Sequence, residues 1–303
     1  EVTTFAGSGS QVSQDGTGTA ASFYDLSGMT KDGTNLYVTN AYNHTIRKIA
    51  ISTGVVSTNA GSGGSPGSAE GTGTSARFRF PKGIATDGTN LYVVDQHNHK
   101  IRKIVISTGV VSTFAGSGSP GSADGTGPAA TFKYPMGITT DGTNLYVTGN
   151  SNNIIRKIVI SSGVVTTIAG SVGSSGSTDG TGPAARFDAP YGITTDGTNL
   201  YVADTNNSTI RKIVISTGVV STFAGYAGSR ASTDGTGTAA RFNKAREIST
   251  DGTYLYVSDT GNSKIRKIVI STGVVTTYAG SGTNGYANGA ATTAEFNSPV
   301  GTV

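Results

Sequence analysis

Asp87-Gly88-Thr89-Asn90-Leu91-Tyr92-Val93 decides how this chain is read. Asp-Gly with polar neighbours marks a tight turn, and the Leu-Tyr-Val that follows is rich in side chains that suit a strand. The same heptad starts at Asp32, Asp141, Asp196 and Asp251, with Tyr254 in place of Asn in the last. The spacings are 55, 54, 55 and 55 residues. Self-similarity at such a period identifies one supersecondary unit copied along the chain, in a radial or stacked repeat architecture.

Outward from the heptad, Phe80-Pro81-Lys82-Gly83-Ile84-Ala85-Thr86 leads into the turn and Leu91-Tyr92-Val93-Val94-Asp95 leaves it, giving strands a and b. A polar link, Gln96-His97-Asn98-His99, precedes Lys100-Ile101-Arg102-Lys103-Ile104-Val105-Ile106. Then come the turn Ser107-Thr108-Gly109 and Val110-Val111-Ser112-Thr113-Phe114-Ala115-Gly116, giving strands c and d. No window shows helical periodicity. Four short antiparallel strands per repeat predict a propeller blade, with both faces of each sheet covered by neighbours. That burial explains the weak alternation of Ile-Arg-Lys-Ile-Val-Ile, whose basic side chains lie stem-down or pair with an acid.

The pattern Phe-x-x-Pro-x-Gly-Ile-x-x-Asp, then Leu-Tyr-Val-x-Asp-x-x-Asn-x-x-Ile-Arg-Lys-Ile, then Gly-Val-Val-Thr-Thr-x-Ala-Gly runs through essentially the whole chain. It resembles the NHL-repeat family of β-propellers. The resemblance implies fold more sharply than function, because such propellers serve as binding modules, scaffolds and, less often, lyases or lactonases.

Strand d and its glycine-rich loop return six times, at Phe23, Phe78, Phe132, Phe187, Phe242 and Phe296, whereas strands b and c return five times. The piece without a sixth counterpart corresponds to residues 31–54. The expectation is therefore an all-β, six-bladed β-propeller of four-stranded antiparallel blades, forming a single domain over residues 1–303. Its sixth blade is incomplete, an N-terminal strand d (residues 2–6) beside a C-terminal strand a (residues 298–303). Strands lie about 4.8 Å apart, so those two cannot bond directly across the missing pair. Either the chain continues, or another chain fills the gap by adding strands, which would make the protein an assembly subunit.

Composition narrows the function classes. Of 303 residues, 22 are basic and 18 acidic, spread over every copy, so the charge pattern carries no nucleic-acid signature. With no cysteine, disulfides and thiolate chemistry are excluded. No apolar run is long enough for a spanning helix, and the opening Glu1-Val2-Thr3-Thr4 reads as a processed mature start. An exported bacterial protein at the cell surface or outside it is expected.

In an antiparallel blade the a–b and c–d turns emerge at one end and the b–c and d–a links at the other. The first pair barely changes between copies; the second varies, and its d–a loops are long. Divergence at one end only predicts a scaffold presenting a binding face there. Its most informative position lies between Pro and Gly of strand a: Ser27, Lys82, Met136, Tyr191, Arg246 and Val300. Cations, an aromatic and a thioether at a channel mouth suit an anionic or sugar-like ligand. Glu247, in the divergent Lys244-Ala245-Arg246-Glu247, joins this candidate set, as do Tyr42, His97 and His99 on the b–c links. The alternative for the set is drift at solvated positions.

Catalysis lacks candidates. His44, His97 and His99 sit on adjacent b–c links with no acid posed to complete a metal site, and the default for them is a solvated loop histidine. Family lyases and lactonases hold a channel metal with acids, amides or histidines, whereas strand a here supplies mostly Gly-Ile-Thr/Ala-Thr. No metal, cofactor or catalytic residue is therefore assigned. The loop acids Asp15, Glu70, Asp124, Asp179 and Asp234 read as turn formers rather than calcium ligands. Arg47, Arg102, Arg156, Arg211 and Arg266 read as charges paired between strands rather than an RNA-binding row. The leading expectation is a non-enzymatic module binding a glycan, peptide or protein, with an assembly subunit and a channel-mouth lyase or lactonase as alternatives.

Overall fold

The computed structural model describes all 303 residues. It contains five antiparallel sheets of five strands each, with short 3-10 turns between strands of a sheet and no α-helix. The second sheet stands for the rest: Pro81–Thr86, Asn90–Asp95, Lys100–Val105 and Val110–Ala115 run as an up-and-down meander. The two-residue strand Gly71–Thr72 then pairs with the last of them. The four long strands fall where the sequence places them. By compactness the chain divides into two units, one of Thr4–Leu145 with Lys157–Thr166, the other of Glu1–Thr3, Tyr146–Arg156 and Thr167–Val303.

The β-propeller class stands, but six four-stranded blades with an incomplete sixth is overturned in both numbers. The additional strand in each sheet is the Gly-Thr of the Asp/Glu-Gly-Thr-Gly loops. In the first sheet Gly16 and Thr17 pair with Val56 and Val55, and the same register recurs at Gly71, Gly125, Gly180 and Gly235. A dipeptide of this kind reads as a turn in sequence, because its strand character comes only from the neighbour it bonds. Residues 2–6 and 298–303 form no strand, and a lone bridge joins Val2 to Gly289. Without second and third strands beside them, their backbone groups have no ladder to enter.

A core sits where one sheet packs on the next. In the first unit, Tyr37 and Ile46 of the first sheet meet Phe78, Leu91, Val93 and Ile104. In the second unit, Tyr201 and Ile210 meet Phe242, Leu255, Val257 and Ile268 in the same arrangement. First strands of successive sheets approach backbone to backbone at the glycine of Pro-x-Gly. A Cβ on Gly83 would lie 2.6 Å from the Met136 carbonyl oxygen, so no side chain fits. A hydroxyl staples the equivalent contact between the first and second sheets, where Thr39 Oγ1 accepts from Gly28 N at 2.8 Å and donates to Lys82 O at 2.6 Å.

The arginine of the third strand is the deepest polar group. Arg102 is wholly buried, its Nη1 donating to Asp95 Oδ2 at 3.0 Å and to Arg77 O at 3.0 Å. Its Nη2 donates to Ala69 O at 3.1 Å, and the guanidinium lies over the Phe78 ring. Arg211 and Arg266 repeat the pairing with Asp204 and Asp259, as the sequence led us to expect. The loop acids differ from expectation. Asp15, Asp179 and Asp234 do not close turns on their own backbone but reach the arginines at 2.6 to 2.7 Å, bonding the threonine of the fourth strand as well.

Removing one partner of a buried ion pair strands the other charge, at a cost of about 3–5 kcal/mol. Arg102→Met should therefore lower the free energy of urea unfolding by about that much. An exposed cation of the same chain, Lys133→Met, should change it by less than about 0.5 kcal/mol.

Candidate ligand-binding face

The link Gln96–Asn98 and the start of the strand Pro81–Thr86 lie at one end of the second sheet, since Pro81 is registered with Asp95. The turn at Asp87 lies at the opposite end, where Thr86 meets Leu91. At that turn Asp87 Oδ1 accepts from Thr89 N and Asn90 N at 2.8 and 2.7 Å, which fixes the turn in place. Burial pushes the Asp87 carboxyl up, but the bonds from Asn90 and Thr89 hold it below the ordinary value. The turn end is thus committed to its own hydrogen bonds, and the candidate residues cluster at the other end.

In the first unit, these residues form an unbroken stripe of rings. Tyr24 stacks on Tyr42 at 4.7 Å, Tyr42 meets Phe80 edge-on at 5.3 Å, Phe80 meets His97 at 4.6 Å, and His97 meets Tyr134 at 5.3 Å. Tyr42 is 50% exposed and Tyr134 38%. Of this stripe the sequence singled out Tyr42 and His97. Tyr24, Phe80 and Tyr134 were missed as site residues, because they precede or open the first strand and read there as packing residues. Phe80 and Tyr134 adopt the left-handed conformation, φ 53° and 44°, as do Asp25, Ala189 and Lys244 at the same slot, so the conformation belongs to the repeat rather than to the rings.

The histidines divide. His97 faces the stripe. His44 and His99 are buried, contrary to the expectation of solvated loop residues: His44 Nδ1 accepts from Phe80 N at 3.2 Å and His99 Nδ1 from Tyr134 N at 3.3 Å. Burial first, and then the Arg79 charge, hold both imidazoles below their ordinary pKa. His97 is lowered too, by burial and then by Arg79, His99, Lys82 and His44. In later copies Asn153 takes the accepting role, bonding Ala189 N at 3.0 Å.

The residues between Pro and Gly are not the solvated positions that drift would favour. Ser27, Met136 and Tyr191 are buried. Lys82 Nζ pairs with Asp25 Oδ2 at 3.0 Å, and Gln96 Nε2 donates to Met136 Sδ. In the second unit the Arg246 guanidinium lies over the Tyr191 ring at 5.7 Å. Glu247 stands where earlier copies have glycine, next to Gly192, whose own Cβ would lie 2.5 Å from Arg246 O. Loss of Pro and Gly shortens that first strand to Ile248–Thr250. No group of three or more His, Asp or Glu side chains converges where a metal ion would be held. The candidate set therefore falls into two groups, one in each unit.

The tautomer at His44 and His99 generates a prediction. An imidazole protonated at Nδ1 turns a donor toward the donating backbone N–H. Their folded pKa values lie below the unfolded value, so the stability they contribute is present above about pH 6.5. It is lost as pH falls through the folded values. The free energy of urea unfolding should fall between pH 7 and 5, and the double variant His44→Asn, His99→Asn should flatten that slope while leaving the free energy at pH 7 within about 0.5 kcal/mol of wild type.

Comparison with known proteins agrees with this architecture. No family model matches the chain. NHL repeat-containing protein 2 of Homo sapiens is 28% identical over 277 residues, covering 79% of this chain. The chain spans only 38% of that relative's length. Among solved structures, an auxiliary nutrient binding protein from Bacteroides thetaiotaomicron superposes with a TM-score of 0.71 at 19% identity, over 99% of this chain and 70% of that one. Virginiamycin B lyase from Staphylococcus aureus gives 0.52 at 19% identity, over 84% and 69%. At these identities the structural likeness is one of fold alone. The chain is thus similar in sequence to NHL repeat-containing proteins and in fold to β-propellers.

Proposed function

We propose that residues 1–303 act as one non-catalytic, exported binding or scaffold module, whose b–c and d–a loops hold a glycan, peptide or protein. The observation that carries the reading is the exposed ring stripe at that end, set against a turn end whose polar groups already bond each other. Ser27, Lys82, Met136, Tyr191, Arg246, Glu247, Tyr42, His97 and His99 are the proposed contact residues. The name of the Bacteroides neighbour, a nutrient binding protein, fits a binding role and an exported location. No helix is long and apolar enough to cross a membrane. The lyase likeness concerns fold, and the site supplies no convergent ligand set for the metal that a lyase or lactonase of this family would hold.

A second reading, a subunit that associates with its own copies, is favoured by one observation. Tyr37, Tyr92, Tyr146 and Tyr201 are buried, while Tyr256, their counterpart in the fifth sheet, is partly exposed beside a 51% exposed Tyr278 and a partly exposed Ile265. In the first, third and fourth sheets this face is covered by the Leu/Val/Phe face of the next repeat, which is the chemistry a second copy of the chain offers.

Arrays of immobilised glycans and peptides test the first reading. A variant carrying Tyr42→Ala, Lys82→Ala and Arg246→Ala should bind its array ligands at least about tenfold more weakly than wild type; unchanged binding removes these residues from the site. For the second, sedimentation of wild type should show a concentration-dependent dimer that Tyr278→Glu abolishes, and a monomer at every concentration overturns it.

A further inference from the structure

Among the first three copies aromatic rings occupy each of two slots twice, and the fourth and fifth copies fill both slots with small or polar residues. The left-handed residue opening the first strand is Asp25 in the first copy, Phe80 and Tyr134 in the second and third, then Ala189 and Lys244. The second residue of the link is Tyr42 and His97, then Ser151, Asn206 and Gly261. The backbone does not change with them: φ is 53° and 44° at the aromatic residues, 51° and 52° at Ala189 and Lys244. The fold therefore does not require rings at these slots. Where they occur, they join into the single stripe of the first unit, and a large exposed aromatic surface of that kind is a mark of a binding site.

Charge beside the stripe narrows its ligand. Lys82 is already paired with Asp25, and the three imidazoles are held neutral. Arg79 and Lys133, which hold the same slot in successive copies next to Phe80 and Tyr134, are exposed. The surface is thus a neutral aromatic strip flanked by two solvent-facing cations. The polarised C–H groups of a pyranose pack against the negative face of an aromatic ring, and a guanidinium or ammonium pairs with a carboxylate. A single-stranded nucleic acid wants a line of cations tracking its backbone, which two do not supply.

We infer that the stripe Tyr24, Tyr42, Phe80, His97 and Tyr134 is a subsite for an acidic oligosaccharide, with sugar rings lying on the aromatic residues and uronate carboxylates held by Arg79 and Lys133. The inference rests on the binding role proposed above and names the ligand class for one part of that face.

Calorimetric titration of the whole chain with hexagalacturonate, with cellohexaose and with an oligouridine RNA provides the test. Tyr42→Ser, His97→Asn and Tyr134→Ala place in the stripe residues that later copies carry on the same backbone, so these variants keep the fold, which circular dichroism checks. Hexagalacturonate should bind wild type at least about tenfold more tightly than cellohexaose. Each ring substitution should weaken it by about fivefold to tenfold, the scale of one aromatic contact. Arg79→Gln with Lys133→Gln should erase the preference for the acid sugar. The inference is overturned if folded wild type ignores hexagalacturonate, binds cellohexaose equally, prefers the RNA, or tolerates the ring substitutions. A peptide ligand found on the arrays with no response to hexagalacturonate leaves the binding module standing and removes only this inference; silence on the arrays and in the titrations removes both.

Discussion

The buried guanidinium of the third strand is the constraint on which the rest of each repeat depends. In Arg102 it joins the second strand through Asp95, the d–a loop through the carbonyls of Arg77 and Ala69, and the Phe78 ring beneath it. A long, glycine-rich loop has little apolar surface to hold it down, and ordering it costs conformational entropy. Charge-assisted bonds inside a low-dielectric core are strong enough to offset that cost. In the first, fourth and fifth sheets, the loop acid adds a further bond to the arginine, and the Gly-Thr dipeptide beside that acid becomes the fifth strand.

Anchoring the loop also positions the site. The segment after the buried phenylalanine enters the next first strand through a left-handed residue, whose N–H bonds to His44 or His99 of the preceding sheet. That bond sets where Phe80 and Tyr134 present their rings, so the ring stripe and the contact between sheets share residues. The histidine acceptors that hold these segments therefore also fix the rings they carry.

The fifth copy shows how far the repeat tolerates change. Pro and Gly of the first strand become Ala245 and Glu247, and the strand shortens at its start. Backbone bonds from Arg246 N to Ser258 O and from Ser258 N to Glu247 O hold the segment to its neighbour. Gly192 in the copy before cannot change in this way, because the carbonyl of Arg246 fills the space its side chain would need. The glycine is a requirement of the approaching backbone.

The sequence by itself determined what depends on local chemistry and on period: the heptad turn, the four long strands and their bounds, the all-β propeller class, the pairing of strand arginines with Asp95, Asp204 and Asp259, and the end at which variation gathers. These are legible because turn residues and strand propensity act within a few positions, and copying repeats the signal five times. Only the tertiary structure decided the fifth strand of each sheet, the number of sheets, the burial of His44 and His99, and the joining of Tyr24, Phe80 and Tyr134 with Tyr42 and His97. Each of these arises between segments about 15 to 60 residues apart, where a Gly-Thr becomes a strand or a histidine an acceptor only through the partner it meets. Partners at that distance are fixed by how sheets stack, and stacking leaves no mark in the local order of residues.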